Sequence, residues 1–193
     1  AEDFTKRKDL LFVGGFKHPP NADAVKWFAS RIMPKVRAAL PDVCFLVAGS
    51  GADEEVLSLN DSSKGIEILG FVSDERLAEL YHTTRLTVVP LRYGAGVKGK
   101  VVEAIYNNTA IITTSVGAEG IPDADKVMTV IDDDPEKLIG NSEAVEQLFA
   151  DKIIALYTDA KACADFAGAC TAYIKEHYSI DAAWSVIAED FTR

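Results

Sequence analysis

Three residues of the 193-residue chain combine charge with a spacing suited to chemistry: Lys98, Lys100 and Glu103. They lie in Val89-Pro90-Leu91-Arg92-Tyr93-Gly94-Ala95-Gly96-Val97-Lys98-Gly99-Lys100-Val101-Val102-Glu103-Ala104, where a short apolar strand runs through a glycine-rich loop into an amphipathic helix. Glycines let an anion approach the main chain, and a helix start offers unpaired N–H groups and partial positive charge. Lys98 and Lys100 add full charges at that point, with Arg92 just upstream. Glu103 falls about one turn further on, where a carboxylate can accept bonds from sugar hydroxyls. The order predicts phosphate at the loop and ribose along the helix. The same residues also fit a glycine-rich turn with two solvated lysines and a surface glutamate, and spacing alone leaves both readings open.

Other chemistry-bearing residues are better explained by structure. Cys44, Cys163 and Cys170 have neither disulfide nor metal spacing, so they read as free thiols of a reducing, cytoplasmic compartment. Asp132-Asp133-Asp134 before Pro135 is read as an acidic helix start rather than a metal cluster, and no metal is assigned. His18 reads as a turn residue beside Pro19 and Pro20, and His82 and His177 fit helix C-termini. No Ser-His-Asp or Cys-His pattern suggests a protein nucleophile. A net charge of −10 argues against a general nucleic-acid or anionic-membrane surface. No segment reaches transmembrane length, and the chain opens with Ala1 rather than Met, as an excised or processed fragment does.

The elements that must position the loop follow from hydrophobic pattern. With 48% hydrophobic residues, the chain can form one sizeable α/β domain. Ala1 to Asp9 reads as a charged linker, and Leu10 to Val13 as a strand ending at Gly14-Gly15. His18-Pro19-Pro20 argues against an immediate helix, so Asn21 is taken as the N-cap of one carrying Val25, Phe28, Ile32, Val36 and Leu40, kinked at Pro34. Further strands are expected at Val43–Ala48, ending in Gly49-Ser50-Gly51, and at Ile66–Leu69, Leu86–Val89, Ala110–Thr114 and Val127–Ile131. Helices are expected at Asp53–Leu59, at Asp74–Thr83 capped by Ser73, and from Lys100 to Asn107-Asn108. The segment beyond Glu136 is largely helical, and Ser179 starts a final helix with Trp184, Ile187 and Phe191. The result is a Rossmann-like, doubly wound parallel sheet of about six strands with a helical C-terminal segment. Three glycine-rich strand ends, at Gly14, Gly49 and Gly94, are placed to line one crevice. The Gly-x-Gly-x-x-Gly spacing of a dinucleotide dehydrogenase is absent.

The succession Phe12-Val13-Gly14-Gly15-Phe16, Pro20-Asn21-Ala22-Asp23-Ala24, Leu46-Val47-Ala48-Gly49-Ser50-Gly51, Leu69-Gly70-Phe71-Val72, Val89-Pro90-Leu91 and Lys100-Val101-Val102-Glu103-Ala104 resembles the C-terminal half of family 4 (group 1) glycosyltransferases of the GT-B fold. The resemblance covers Leu10 to Phe191. It implies a retaining glycosyltransferase domain for residues 1–193 that binds a nucleotide-diphosphate sugar as co-substrate, with no cofactor. A partner N-terminal domain, absent here, would hold the acceptor, and residues 179–193 would form the helix that crosses back to it.

By that resemblance Glu103 bonds the ribose and Lys100 the diphosphate, these two carrying the catalytic role. Gly14, Gly15 and Lys17 line the phosphate loop, Gly49 and Gly51 the neighbouring strand end, and Phe71 and Val72 sit beside the base. Gly94, Ala95, Gly96, Val97 and Val101 face the sugar and diphosphate, with Arg92 and Lys98 sharing the phosphate charge. The family's first motif glutamate stands eight positions before the second, and Ala95 occupies that place here. Many members also have an arginine just after the first strand, where this chain has Gly15, with Lys17 nearby. The alternatives are a binding or scaffold module without catalysis and a sugar-nucleotide epimerase of the same fold. A cleft His/Glu set for epimerase chemistry is not evident around strand one.

Overall fold

A computed structural model describes residues 3–131 and 143–178. Among the described residues six strands form one sheet: β1 (Lys8–Val13), β2 (Phe45–Ala48), β3 (Ile66–Gly70), β4 (Thr84–Val89), β5 (Ala110–Thr114) and β6 (Thr129–Ile131). They lie side by side in the order β3-β2-β1-β4-β5-β6, and every pairing is parallel. The winding direction reverses between β1 and β4, which opens a crevice beyond the carboxyl ends of those strands. The glycine-rich ends of β1 and β4 are therefore adjacent.

The central strands read as apolar runs because both of their faces are covered. All five residues of β5 are buried, although successive side chains point to opposite sides. The covering helices are α1 (Pro19–Trp27), α2 (Met33–Ala39), α3 (Glu54–Leu57), α4 (Asp74–Thr83), α5 (Gly99–Tyr106), α6 (Ser115–Ala118), α7 (Glu143–Thr158) and α8 (Ala160–His177). Between α1 and α2 the chain widens into a π-helical segment, Phe28–Ile32. Its cause is Pro34, which lacks an N–H and whose ring crowds the carbonyl four residues earlier. The Met33 N–H reaches the Phe28 carbonyl five residues back.

Helix α7 packs on α2 and the π-helical segment, and α8 on α5 and β5. Phe28 lies on Phe45 of β2 at 4.4 Å between ring centroids, and Phe149 of α7 meets Trp27 edge-on at 6.2 Å. The Glu146 carboxylate, 1% exposed, accepts from Arg31 Nε at 2.9 Å and from Trp27 Nε1 at 3.3 Å. This buried acid is thus paired and hydrogen-bonded, the condition that makes its burial tolerable. The Cys163 and Cys170 thiols are free and buried, and burial pushes both up to about 11, which makes them unreactive.

Three expectations need correction. Residues Lys8 and Asp9 belong to β1, and Phe4 and Arg7 are buried, so residues 4–9 pack against the domain instead of forming a linker. Helix α1 begins at Pro19, with both prolines in its first turn, where their missing N–H groups cost no hydrogen bond. Asn21 is consequently inside the helix, 4% exposed, and His18 takes the cap position without a side-chain bond. Ser73 and Asp53 do cap their helices, and Asn108 takes the left-handed backbone (φ 53°) beyond α5. The Asp132 cluster and the segment containing Trp184 lie outside the described residues.

Beyond their last paired residues, β1, β2 and β3 remain joined by main-chain bonds: Gly14 N–H to Ala48 O (2.9 Å), Phe16 N–H to Ser50 O (2.8 Å) and Gly49 N–H to Gly70 O (2.8 Å). A methyl group at Gly49 would stand far inside van der Waals contact distance of the Gly14 carbonyl oxygen. Gly49→Ala is expected to destabilise the domain by about 2–3 kcal/mol through this backbone overlap. Chemical denaturation measures it, and an unchanged midpoint would show that the two loops are not in contact.

Candidate functional site

Four loops converge where the winding reverses, and each is held there by an identifiable contact. The β1–α1 loop, Gly14 to His18, is fixed to the β2 end by the bonds just described. The β4–α5 loop is tied to α1 by Arg92, whose guanidinium forms a two-pronged pair with Asp23, Nε to Oδ2 at 2.9 Å, and lies 5.4 Å over the Trp27 ring. On its other side Lys98 donates to the Gly96 carbonyl and to Glu119 Oε2 at 3.1 Å, which joins it to the end of α6, beyond β5. Gly120 allows this approach, since a Cβ there would stand 2.7 Å from Val97 Cγ2. Thr114 Oγ1 at the end of β5 donates to the Leu91 carbonyl and anchors the same loop from below.

Lys100 is handled differently. It enters from the first turn of α5 and crosses to β1, where its ammonium lies 4.5 Å over the buried Phe12 ring. There it donates to the Asn21 side-chain oxygen. Asn21 Nδ2 in turn donates to the Gly15 carbonyl at 2.7 Å. Gly14 permits the arrangement, because a Cβ at that position would come within 2.7 Å of Lys100 Nζ and 2.8 Å of Asn21 Nδ2. Burial, followed by the neighbouring positive charge of Lys98, lowers the Lys100 pKa to about 8. Of the three cations near the loop, Arg92 and Lys98 are engaged by carboxylates, whereas Lys100 is held by a neutral amide.

Glu103 follows one turn later and is half-buried. Its carboxylate accepts from the Tyr81 hydroxyl of α4 at 3.3 Å, and Tyr81 itself is fully buried. Burial and the adjacent carboxylate push the Tyr81 pKa up, so this hydroxyl stays protonated as a donor. By helix geometry the N–H groups of Gly99 and Lys100 have no intrahelical acceptor. A Cβ at Gly15, Gly96 or Gly99 would meet nothing within 4 Å, so these three positions border open space. Along α5 the cleft thus presents the N–H groups of Gly99 and Lys100, the Lys100 ammonium and the Glu103 carboxylate braced by Tyr81.

The remaining candidates take separate places. Lys17 is exposed and its stem runs beside Gly51, whose φ of 78° suits glycine. Phe71, 79% exposed, projects from the end of β3, and Val72 packs back onto the core. Ala95 and Val97 are exposed on the β4–α5 loop between glycines. Val101 is placed otherwise than expected: its side chain is fully buried and its N–H bonds the Lys98 carbonyl at 2.9 Å, so it supplies core packing rather than a cleft contact. Asn21, Asp23, Tyr81 and Glu119 are the site residues that sequence reasoning missed. Each acts on a partner far along the chain, 79 residues away for Asn21 and Lys100, and no local pattern marks such a pair.

A family model described as "Glycosyl transferases group 1" matches residues 7–159. A curated relative described as an uncharacterized 44.6 kDa protein in the cps region of Klebsiella pneumoniae is 28% identical over 188 residues, covering 94% of this chain and 45% of the relative. The chain therefore spans less than half of that protein's length. Among solved structures, TarM superposes with a TM-score of 0.72 at 15% identity, over 97% of this chain and 36% of TarM. The C-terminal domain of a group 1 glycosyl transferase family protein, LpcC from Francisella tularensis, gives a TM-score of 0.63 at 18% identity, over 91% of this chain and 90% of that one. At these identities the superpositions establish a shared fold.

An anion bound at Lys100 favours the charged amine and raises its pKa in the complex. Anion affinity is therefore at its full value below about pH 8 and declines as the pH rises through that value. Calorimetric titration with inorganic pyrophosphate from pH 6.5 to 9.5 checks this, through the ratio of wild-type to Lys100→Met affinity. A ratio that stays constant across the range would remove Lys100 from the anion site.

Proposed function

The chain belongs to the group 1 glycosyltransferases, and from that premise we propose that it is the half of such an enzyme that binds the nucleotide-diphosphate sugar. The observation that carries the reading is the grouping of Lys100, the Gly14–Gly15 loop and Glu103 at the switch point of the sheet. Lys100 and the free N–H groups of α5 face the diphosphate, and Glu103 accepts from the ribose hydroxyls. Phe71 flanks the base, with the Val72 backbone at its edge. The exposed backbone from Gly94 to Val97 faces the sugar. Acceptor binding falls to a separate N-terminal domain, so this chain by itself does not turn over.

In the transfer, the bond from the anomeric carbon to the diphosphate oxygen breaks while the acceptor oxygen bonds that carbon, with retention of configuration. Negative charge grows on the departing phosphate, whose leaving oxygen takes the proton that the acceptor hydroxyl gives up. Lys100 and the N–H groups are fixed before the reaction begins, so they stabilise that charge without having to reorganise. Glu103 acts through binding and orientation. The donor sugar is consumed as a co-substrate, and the chain holds no resident cofactor in this reading. Ala95, exposed where the family's first motif glutamate stands, supports one competing reading: a module that binds the donor without transferring it.

Calorimetric titration of the 193-residue chain with UDP, GDP and ADP and their sugar conjugates tests the proposal. One base is expected to bind. Lys100→Ala and Glu103→Gln are each expected to weaken it about tenfold to a hundredfold, the usual cost of a charge-assisted hydrogen bond. The Glu103→Gln loss should shrink when the ligand is the 2′,3′-dideoxy nucleotide. Equal losses for nucleotide and dideoxynucleotide would separate Glu103 from the ribose. Donor binding without transfer by the full-length parent would favour the binding module.

A further inference from the structure

We propose that Asn21 is a positioning residue for Lys100, holding its ammonium at the Gly14–Gly15 loop while leaving its charge available to the donor diphosphate. This rests on the donor-site reading above and adds to it the residue that sets the geometry and charge of the site. The side chain is 4% exposed and bonded at both ends, to Lys100 and to the Gly15 carbonyl at 2.7 Å. The orientation of the amide is forced, because an ammonium can only donate and a carbonyl can only accept. One side chain therefore couples the β1–α1 loop to the lysine of α5.

The choice of a neutral partner is what distinguishes this lysine. Arg92 and Lys98, the other cations of the loop, are matched by Asp23 and Glu119, which satisfy their charge and fix the loop. In each pair a carboxylate stands within hydrogen-bond distance of the cation. Around Lys100 the neighbours are Phe12 from β1 and Asn21 from α1, both uncharged, with Lys98 the charged group that acts on it from its own loop. An aspartate at position 21 would have nearly the same shape and would cancel the charge. It would also set an acceptor against the Gly15 carbonyl.

Asn21→Asp separates this role from simple bracing. Lys100 is followed by NMR of its side-chain ammonium, identified by its loss in Lys100→Met, and binding of UDP, GDP and ADP is followed by calorimetry. In the variant the Lys100 titration is expected to move up by about one pH unit or more, as a carboxylate partner requires. Affinity at pH 7 for the diphosphate that the wild-type chain binds is expected to fall about tenfold, although the lysine is then more fully protonated. In the wild-type chain the Lys100 ammonium signal should be protected from exchange at pH 6, a measurement independent of whether the variant folds. A rapidly exchanging ammonium, or a titration unmoved in Asn21→Asp, would show that the bond is absent and overturn the proposal. A shifted titration with unchanged diphosphate affinity would overturn the positioning role while leaving the donor site standing. Failure of the wild-type chain to bind any of the three diphosphates would defeat the donor-site reading, and this proposal would lose its ligand with it.

Discussion

The site depends on the close apposition of main chain at the carboxyl edge of the sheet. Parallel strands send every following loop to the same edge, and the bonds from Gly14, Phe16 and Gly49 continue the pairing of β1, β2 and β3 past the strand ends. Side chains have no room there: Gly49 meets the Gly14 carbonyl, and Gly14 meets Lys100 and Asn21. Without that spacing the β1–α1 loop would stand off from β2, and Asn21 could not reach both the loop and α5.

The cations around this frame differ in their partners. Arg92 and Lys98 carry the mechanical load of the β4–α5 loop through their carboxylates, one linking it to α1 and the other to the end of α6. Lys100 sits on an apolar ring beside a neutral amide, and its burial, followed by the nearby charge of Lys98, depresses its pKa. In a chain with ten more acidic than basic residues, this grouping of cations is a local departure from the overall charge.

The same logic runs from cleft to core on the far side of α1. Arg92 lies over Trp27, and Trp27 shares the buried Glu146 with Arg31. The contacts place α7 against α1 and the π-helical segment forced by Pro34. A proline in one helix thereby helps to define where a loop at the crevice is anchored. Tyr81 does comparable work for the other face, reaching from the core of α4 to the carboxylate of α5.

The sequence by itself determined the strands, because apolar runs covered on both faces need no long-range information to be recognised. It also determined the glycine-rich loop, the helix start at Gly99–Lys100 and the place of Glu103 one turn on, since these are consecutive residues under helix geometry. The tertiary structure decided which of the cations is paired with a carboxylate and which with a neutral amide. Arg92, Lys98 and Lys100 are alike in the sequence, and only folding brings Asp23, Glu119 and Asn21 to them. It also turned Asn21 from an expected helix cap into a buried bridge, because Pro19 and Pro20 can occupy the first helical turn and move the cap back to His18. Val101 went from cleft to core for a related reason: the face a helical residue presents is set by the packing of the helix against the sheet. Local pattern fixes the elements, while the partners of charged side chains depend on a topology that joins residues many positions apart.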